Sequence, residues 1–302
     1  MLYICFINMK NGDTSTSSIN FKQVARALSI VENDLSGSAH LLKSLTFNKP
    51  APIIGITGPP GAGKSTLVNE LINNLLKEGN KIAVLAIDPT SPFNFGSLLG
   101  DRIRMASHFN HPDVFIRSLA TRGSLGGLSA KTIEMADVLR AAGFDYVLIE
   151  TVGVGQSEVE ITGLADVTLV VLVPEAGDEI QHIKSGLMEI ADAFIINKAD
   201  RPDADIFFNN LKKIIGQNKD GQTAIFKTIA SQAIGIDKVV DFIKSTSPQK
   251  NKRKELLLTE KAYKLIQHQL TQHIDKKKLQ QDIAEALNMG GFNLYTFVDS
   301  YL

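Results

Sequence analysis

The chain has 302 residues, enough for one large domain or for one domain with appendages. Its 32 basic and 32 acidic side chains cancel, which argues against a constitutive nucleic-acid binder, a class that normally carries a basic surplus. A hydrophobic share of 44% supports a packed core, and the single cysteine, Cys5, excludes an internal disulfide and a multi-cysteine zinc cluster. The same scarcity is consistent with a reducing, cytoplasmic setting. No apolar run approaches the ~18 residues needed to cross a bilayer, so no membrane association is expected. Leu2–Ile7 is apolar, but no basic residue precedes it and no small-residue cleavage pattern follows, which speaks against a secretory leader. Met9 competes with Met1 as the true start.

Asn11–Ser18 is small and polar and reads as a loose tail. From Phe21 the apolar residues Val24, Ala25, Leu28 and Val31 recur at three- and four-residue spacing, which predicts an amphipathic helix. Leu41, Leu42 and Leu45 suggest a second short helix before Lys49–Pro52, so residues 1–48 read as a tail and helical extension. Residues 49–246 then alternate strands and helices. The short apolar runs are Ile53–Thr57, Ile82–Ile87, Val114–Leu119, Tyr146–Ile149, Val167–Val173, Ala193–Asn197 and Ala224–Ile229. Strands apolar on both faces belong to a parallel sheet covered by helices. The predicted class is a doubly wound α/β domain, whose ligands sit beyond the carboxyl ends of its strands. After Ser245 the composition shifts, and Ser247-Pro248 with Lys250–Lys254 reads as a linker. Residues 247–302 carry two helical patterns, through Leu258, Ala262, Leu265 and Ile266, and through Leu279, Ile283 and Leu287. Met289-Gly290-Gly291 stops the second.

Gly58-Pro59-Pro60-Gly61-Ala62-Gly63-Lys64-Ser65 satisfies G-x-x-x-x-G-K-[ST], between an apolar strand and a helix expected from Thr66 to Leu76. Backbone N–H groups of such a loop curl around the α- and β-phosphates, and the helix N-terminus adds partial positive charge. Lys64 reaches the β- and γ-phosphate oxygens and the Ser65 hydroxyl ligates Mg²⁺. Two strands run into acids at the same edge, Asp88 and Glu150, and Asp101 lies in the loop-like Gly100-Asp101-Arg102. Carboxylates there suit Mg²⁺, which prefers hard oxygen ligands. For each acid, a surface or capping role is the competing reading.

Asn197-Lys198-Ala199-Asp200 fits N-K-x-D directly after a strand. The Asp200 carboxylate would accept from guanine N1–H and the exocyclic amine, neither of which adenine offers at that edge. A mismatched base would leave a carboxylate unpaired, which is how a polar pocket discriminates. The loop that backs the base is expected at Thr228-Ile229-Ala230-Ser231, followed by Gly235-Ile236, with the Ala230 backbone N–H as its contact. Ile229 stands where serine is usual.

Together these segments resemble the MeaB/ArgK-type GTPases, bacterial relatives of the human methylmalonic aciduria type A protein. The resemblance spans nearly the whole chain. It is carried by Gly55–Ser65, Ala86–Pro92, Gly96–Met105, the distinctive Arg122-Gly123-Ser124-Leu125-Gly126-Gly127-Leu128, Glu150–Glu158 and Asn197–Asp200. It implies a P-loop GTPase of the SIMIBI type that binds GTP, GDP and Mg²⁺ through Gly58–Thr66, Asn197, Lys198, Asp200 and Ala230. It further implies a chaperone that gates adenosylcobalamin loading into methylmalonyl-CoA mutase and protects that enzyme. A homodimer joined by the C-terminal helices is also implied. Asp88–Arg104 would be switch I, Glu150–Glu158 switch II and Gly177–Lys184 switch III. Gln181 and Lys184 become catalytic, beside Lys64, if that last loop folds inward, with Lys184 offsetting γ-phosphate charge as an arginine finger does. A solvated helix start, with Asp178 and Glu179 as first-turn acids, is the competing reading. The absence of Trp from the C-terminal arm departs from the family, as does Ile229.

His108, His111 and His182 show no metal-ligand spacing with cysteines, unlike a nickel metallochaperone GTPase, and ordinary core or surface roles are expected. Lys276–Lys278 reads as a solvated helix face. No Asp-x-His-x-x-Gly segment for holding a corrinoid is present. A chaperone of another cobalamin-dependent acyl-CoA mutase, and a transport-associated ATPase or kinase, are the alternatives; the tetrad at 197–200 speaks against the latter.

Overall fold

The computed structural model describes residues 19–88, 105–120, 130–151, 161–175, 191–216, 223–246, 254–271 and 273–301. Seven strands form one sheet: β1 (Ile53–Thr57), β2 (Ile82–Asp88), β3 (Val114–Ala120), β4 (Tyr146–Glu150), β5 (Val167–Leu172), β6 (Ala193–Ile196) and β7 (Ala224–Lys227). Their order is β3-β2-β4-β1-β5-β6-β7 and every pairing is parallel. All carboxyl ends therefore lie along one edge, and β1, with the glycine-rich loop behind it, is central.

The helices of this unit are α1 (Phe21–Glu32), α2 (Ser38–Lys43), α3 (Lys64–Leu76), α4 (Ala130–Ala141), α5 (Ala204–Gly216), α6 (Ile236–Ser245) and α7 (Lys254–Thr271), the last of which runs on beyond it. Alternate residues of a strand face opposite ways, so a sheet clad on both sides needs apolar residues at every position. β1, β5 and β6 are buried throughout. Ile54, Ile56, Leu169, Val171 and Ile195 pack with Leu67, Leu71 and Leu75 of α3 and Val239 and Ile243 of α6. The residues between them, Val170, Leu172, Phe194 and Ile196, pack on the opposite face with Phe207, Leu211 and Ile215 of α5.

The N-terminal helices are part of this unit. Asn20 caps α1 by accepting from the Gln23 N–H at 3.2 Å. The Phe21 ring meets Phe115 on β3 and Phe144 ahead of β4, with centroids 5.6 and 6.0 Å apart. Glu32 pairs with Arg117 of β3, and α1 packs along α4. At the amino end of β1 the Asp166 carboxylate accepts from the Ile53 N–H at 2.9 Å and from Arg140 at 3.0 Å. The first half of α7 brings Lys261 toward Asp137. Burial holds the Asp137 carboxyl above its ordinary pKa and the Lys261 ammonium below its own, each opposed by the other's charge.

The chain divides into two compact units, residues 1–261 and 262–302. The second holds the end of α7, then α8 (Lys276–Asn288) and α9 (Leu294–Asp299). Asp275 and Asn293 cap the two helices through their side chains, and Gly290 and Gly291, with φ of 77° and 71°, break the chain between them. Phe292, Phe297 and Tyr301 form a ring cluster, and the Tyr301 hydroxyl donates to Asp282. Neither α8 nor α9 buries a residue. The sequence reading missed α9, although Asn293 ahead of an apolar turn is a capping signal. No helix among the described residues is long and apolar enough to cross a membrane.

Candidate functional site

Residues 58–63 join β1 to α3. Gly58 has φ of 135°, and a Cβ there would lie 2.1 Å from the Val171 carbonyl oxygen of β5, so the loop can leave the sheet only through glycine. Gly63, with φ of 87°, starts α3, and a Cβ on it would meet Asn197 Nδ2 at 2.4 Å. α3 consequently begins at Lys64, two residues earlier than the expected Thr66. Lys64 is buried, and its Nζ donates to the carbonyls of Gly58 and Pro59 at 2.8 and 2.9 Å. The ammonium is thereby folded along the loop that would hold phosphate.

Ser65, on the first turn of α3, donates from its hydroxyl to Glu150 Oε1 at 2.6 Å, and both side chains are buried. Glu150 is the last residue of β4, adjacent to β1. The chain past it is held as well: the Thr151 N–H donates to Ile56 O at 3.0 Å and its hydroxyl to Thr57 Oγ1 at 2.9 Å. Asp88 ends β2 in register with Ala120 of β3, on the same carboxyl edge. Asp101, Gln181, Lys184, His182 and most of the three switch segments lie outside the described residues.

The tetrad at 197–200 follows β6. Asn197, buried, donates from Nδ2 to Ala62 O at 2.9 Å and accepts at Oδ1 from the Thr228 hydroxyl at 3.2 Å and the Ala230 N–H at 3.1 Å. Lys198, with φ of 55°, donates from Nζ to Gly61 O at 2.8 Å. The tetrad is thus bonded to the glycine-rich loop, 135 positions earlier in the chain. The Ala199 N–H donates to Thr228 O at 3.0 Å, and Asp200 is exposed beside it. The stretch behind is a closed turn. Ile229 and Ile234 form an antiparallel bridge around the short helical turn Ala230–Gln232, and Gly235, with φ of 76°, starts α6. Ile229 at the serine position therefore acts through its backbone. β7 stops at Lys227, two residues before the sequence reading ends it, because Thr228 already faces Ala199 and Asn197.

The site's logic is spatial. One loop of backbone and a lysine stands at the end of β1, a hydroxyl and a carboxylate stand beside it, and an Asn–Lys–Asp turn stands at the end of β6. That arrangement at the carboxyl edge of a parallel sheet is that of a P-loop GTPase domain.

Known proteins share this arrangement. The family model described as methylmalonyl Co-A mutase-associated GTPase MeaB matches residues 24–285, and the chain belongs to that family. The Pyrococcus horikoshii protein PH0274, named for a GTPase activity, is 48% identical over 232 residues, covering 74% of this chain and 73% of its own. The mouse protein named methylmalonic aciduria type A homolog, mitochondrial, is 43% identical over 158 residues, 52% of this chain and 37% of its own. A crystal structure described as a LAO/AO transport system kinase superposes with a TM-score of 0.66 at 24% identity, covering 94% of this chain and 92% of its own, a likeness of fold.

Among the described residues no group of three or more His, Cys, Asp or Glu side chains is placed to hold a metal by itself. His108 is a buried core residue, as the sequence reading expected.

Proposed function

We propose that this GTPase is a chaperone of methylmalonyl-CoA mutase, using the GTP cycle to gate adenosylcobalamin loading and to protect the mutase. The observation that carries the reading is the match of residues 24–285 to a family defined by association with that enzyme. Sequence relatedness to the methylmalonic aciduria type A homolog supports the same client.

In this reading Gly58–Thr66 holds the phosphates, Lys64 swings from the Gly58 and Pro59 carbonyls to the β- and γ-phosphate oxygens, and Asp200 reads the guanine edge. The paired Ser65 hydroxyl, on the first turn of α3, and Glu150 carboxylate, at the end of β4, are hard oxygen donors, a donor set that fits Mg²⁺. Ser65 and Glu150, with Asp88 and Asp101, would hold the ion, which when bound neutralises phosphate charge. Gln181 and Lys184 are proposed to complete the catalytic edge from switch III.

The C-terminal unit supports a homodimer as part of the proposal. Tyr263, Ile266, Leu270, Leu287, Met289 and Tyr295 are all exposed there. Exposed apolar side chains of this size are candidates for burial against a second copy. A cytoplasmic location and no contact with nucleic acid or membrane complete the reading.

Complex formation tests it. Mixed with purified methylmalonyl-CoA mutase and a non-hydrolysable GTP analogue, the protein should co-elute with the mutase on size exclusion. Separate elution with both GDP and the analogue would overturn the assignment and favour another acyl-CoA mutase as client. The kinase description of the structural neighbour suggests a second assay, competition of ATP against GTP. The exposed Asp200 carboxylate beside the tetrad turn favours GTP in it.

A further inference from the structure

Asn197 Oδ1 has two donors, and they differ in what else they can reach. The Thr228 side chain is wholly buried, and its hydroxyl donates to Oδ1 at 3.2 Å. The Ala230 N–H donates to the same oxygen at 3.1 Å from the start of the turn that backs the base. An amide oxygen has two lone pairs, so the two donors together satisfy Oδ1, while one Nδ2 hydrogen is committed to Ala62 O. A purine 6-oxo group, present in guanine and hypoxanthine, is an acceptor; the adenine 6-amino group is a donor. The Ala230 N–H therefore has a natural second acceptor in a bound guanine, but turning to it withdraws one donor from a buried oxygen.

We propose that Thr228 is the positioning residue that makes this exchange possible: its hydroxyl keeps Asn197 Oδ1 bonded when the Ala230 N–H turns to the 6-oxo group of the base. The inference rests on the guanine-site reading of residues 197–200 and 230. Thr228 also fixes the tetrad through its backbone, accepting from the Ala199 N–H at 3.0 Å and donating to Ile196 O at 2.9 Å. Those two bonds are independent of its side chain. Removing the hydroxyl alone leaves the loops in place and makes the exchange costly, because Asn197 Oδ1 would then lose its last protein donor inside a closed site.

Thr228→Val keeps the branched shape and removes the donor; Thr228→Ser keeps the donor. Affinities are measured by titration calorimetry for GDP, for inosine diphosphate, which keeps the 6-oxo group, and for 2-aminopurine riboside diphosphate, which lacks it. The valine variant should lose about tenfold for GDP and inosine diphosphate, the scale of one unsatisfied buried acceptor. It should bind the 2-aminopurine nucleotide as the unaltered protein does, and the serine variant should restore the GDP affinity. An equal loss for all three nucleotides, or no loss for GDP, would overturn the proposal. Should the valine variant not fold, Thr228→Cys, a weak donor, replaces it in the same three titrations, with the same results supporting or overturning the proposal. Failure of the underlying reading looks different: the unaltered protein would then bind ADP as tightly as GDP.

Discussion

At the scale of single residues, the polar groups of the candidate site are each held by protein partners. Lys64 rests on two carbonyls of its own loop, and Ser65 donates to Glu150 at 2.6 Å. Asn197 donates one Nδ2 hydrogen to Ala62 and accepts at Oδ1 from Thr228 and Ala230. Asp200, the residue proposed to read the guanine N1–H and 2-amine, is exposed beside a tetrad turn held at Asn197 and Ala199. An asparagine at 200 would set its amide donor against the guanine 2-amine, itself a donor, but would pair that donor with the 2-oxo acceptor of xanthine, while its Oδ1 still accepts from N1–H. Asp200→Asn should accordingly weaken GDP at least tenfold and bring xanthosine diphosphate to comparable or tighter affinity, a change on the order of one mismatched buried hydrogen bond or more. Competition binding with the two nucleotides reads this directly; an unchanged preference for GDP would remove Asp200 from the base site.

At the scale of elements, α3 meets the short helical turn Ala106–His108, where Ser107 Oγ donates to Asn69 Oδ1 at 3.5 Å, just after the segment proposed as switch I. His108 is buried there, and its Nε2 has no hydrogen-bond partner among the described residues. Burial holds the imidazole below its ordinary pKa; the neighbouring His111 adds to this, and Glu70 on α3 opposes it. The folded state thus takes up the proton less readily than the unfolded chain does. Stability from this group is complete above about pH 6.5 and falls as the pH drops from there toward the folded-state value. Thermal melts of the unaltered protein should show that acid-side loss, and His108→Gln should flatten it; identical profiles would contradict the assignment. The elements themselves were largely legible in the sequence. Runs such as Val167–Leu172, apolar at every position, have few alternatives to a strand in a doubly covered sheet. What the sequence concealed depends on long-range contact. The N-terminal helices read as an appendage, but Phe21 meets Phe115 edge-on and stacks with Phe144 in the main unit. The P-loop and the tetrad were each recognisable alone, whereas the amide bond from Asn197 to Ala62 joins positions too far apart for any local pattern to reveal. The Thr228 hydroxyl bond to Asn197 is equally hidden, because it depends on where the Asn197 side chain points.

At the scale of the whole molecule, a parallel sheet gathers the phosphate loop, the Ser65–Glu150 pair and the base-reading turn at one edge, and a second unit of helices exposes apolar side chains. The first is the machinery of a GTPase; the second is the surface assigned above to the proposed homodimer. A regulatory GTPase built this way would hydrolyse GTP slowly by itself and respond to its client, because catalysis by positioning and electrostatics is sensitive to small rearrangements at the phosphate edge. The most direct measurement is the single-turnover GTP hydrolysis rate with and without purified methylmalonyl-CoA mutase, with Lys64→Ala as the variant expected to bind no nucleotide tightly. The account predicts a rate raised about tenfold or more by the mutase, equivalent to roughly 1.4 kcal/mol of added transition-state stabilisation, and no hydrolysis by the variant. A rate indifferent to the mutase at saturating concentration would contradict the account.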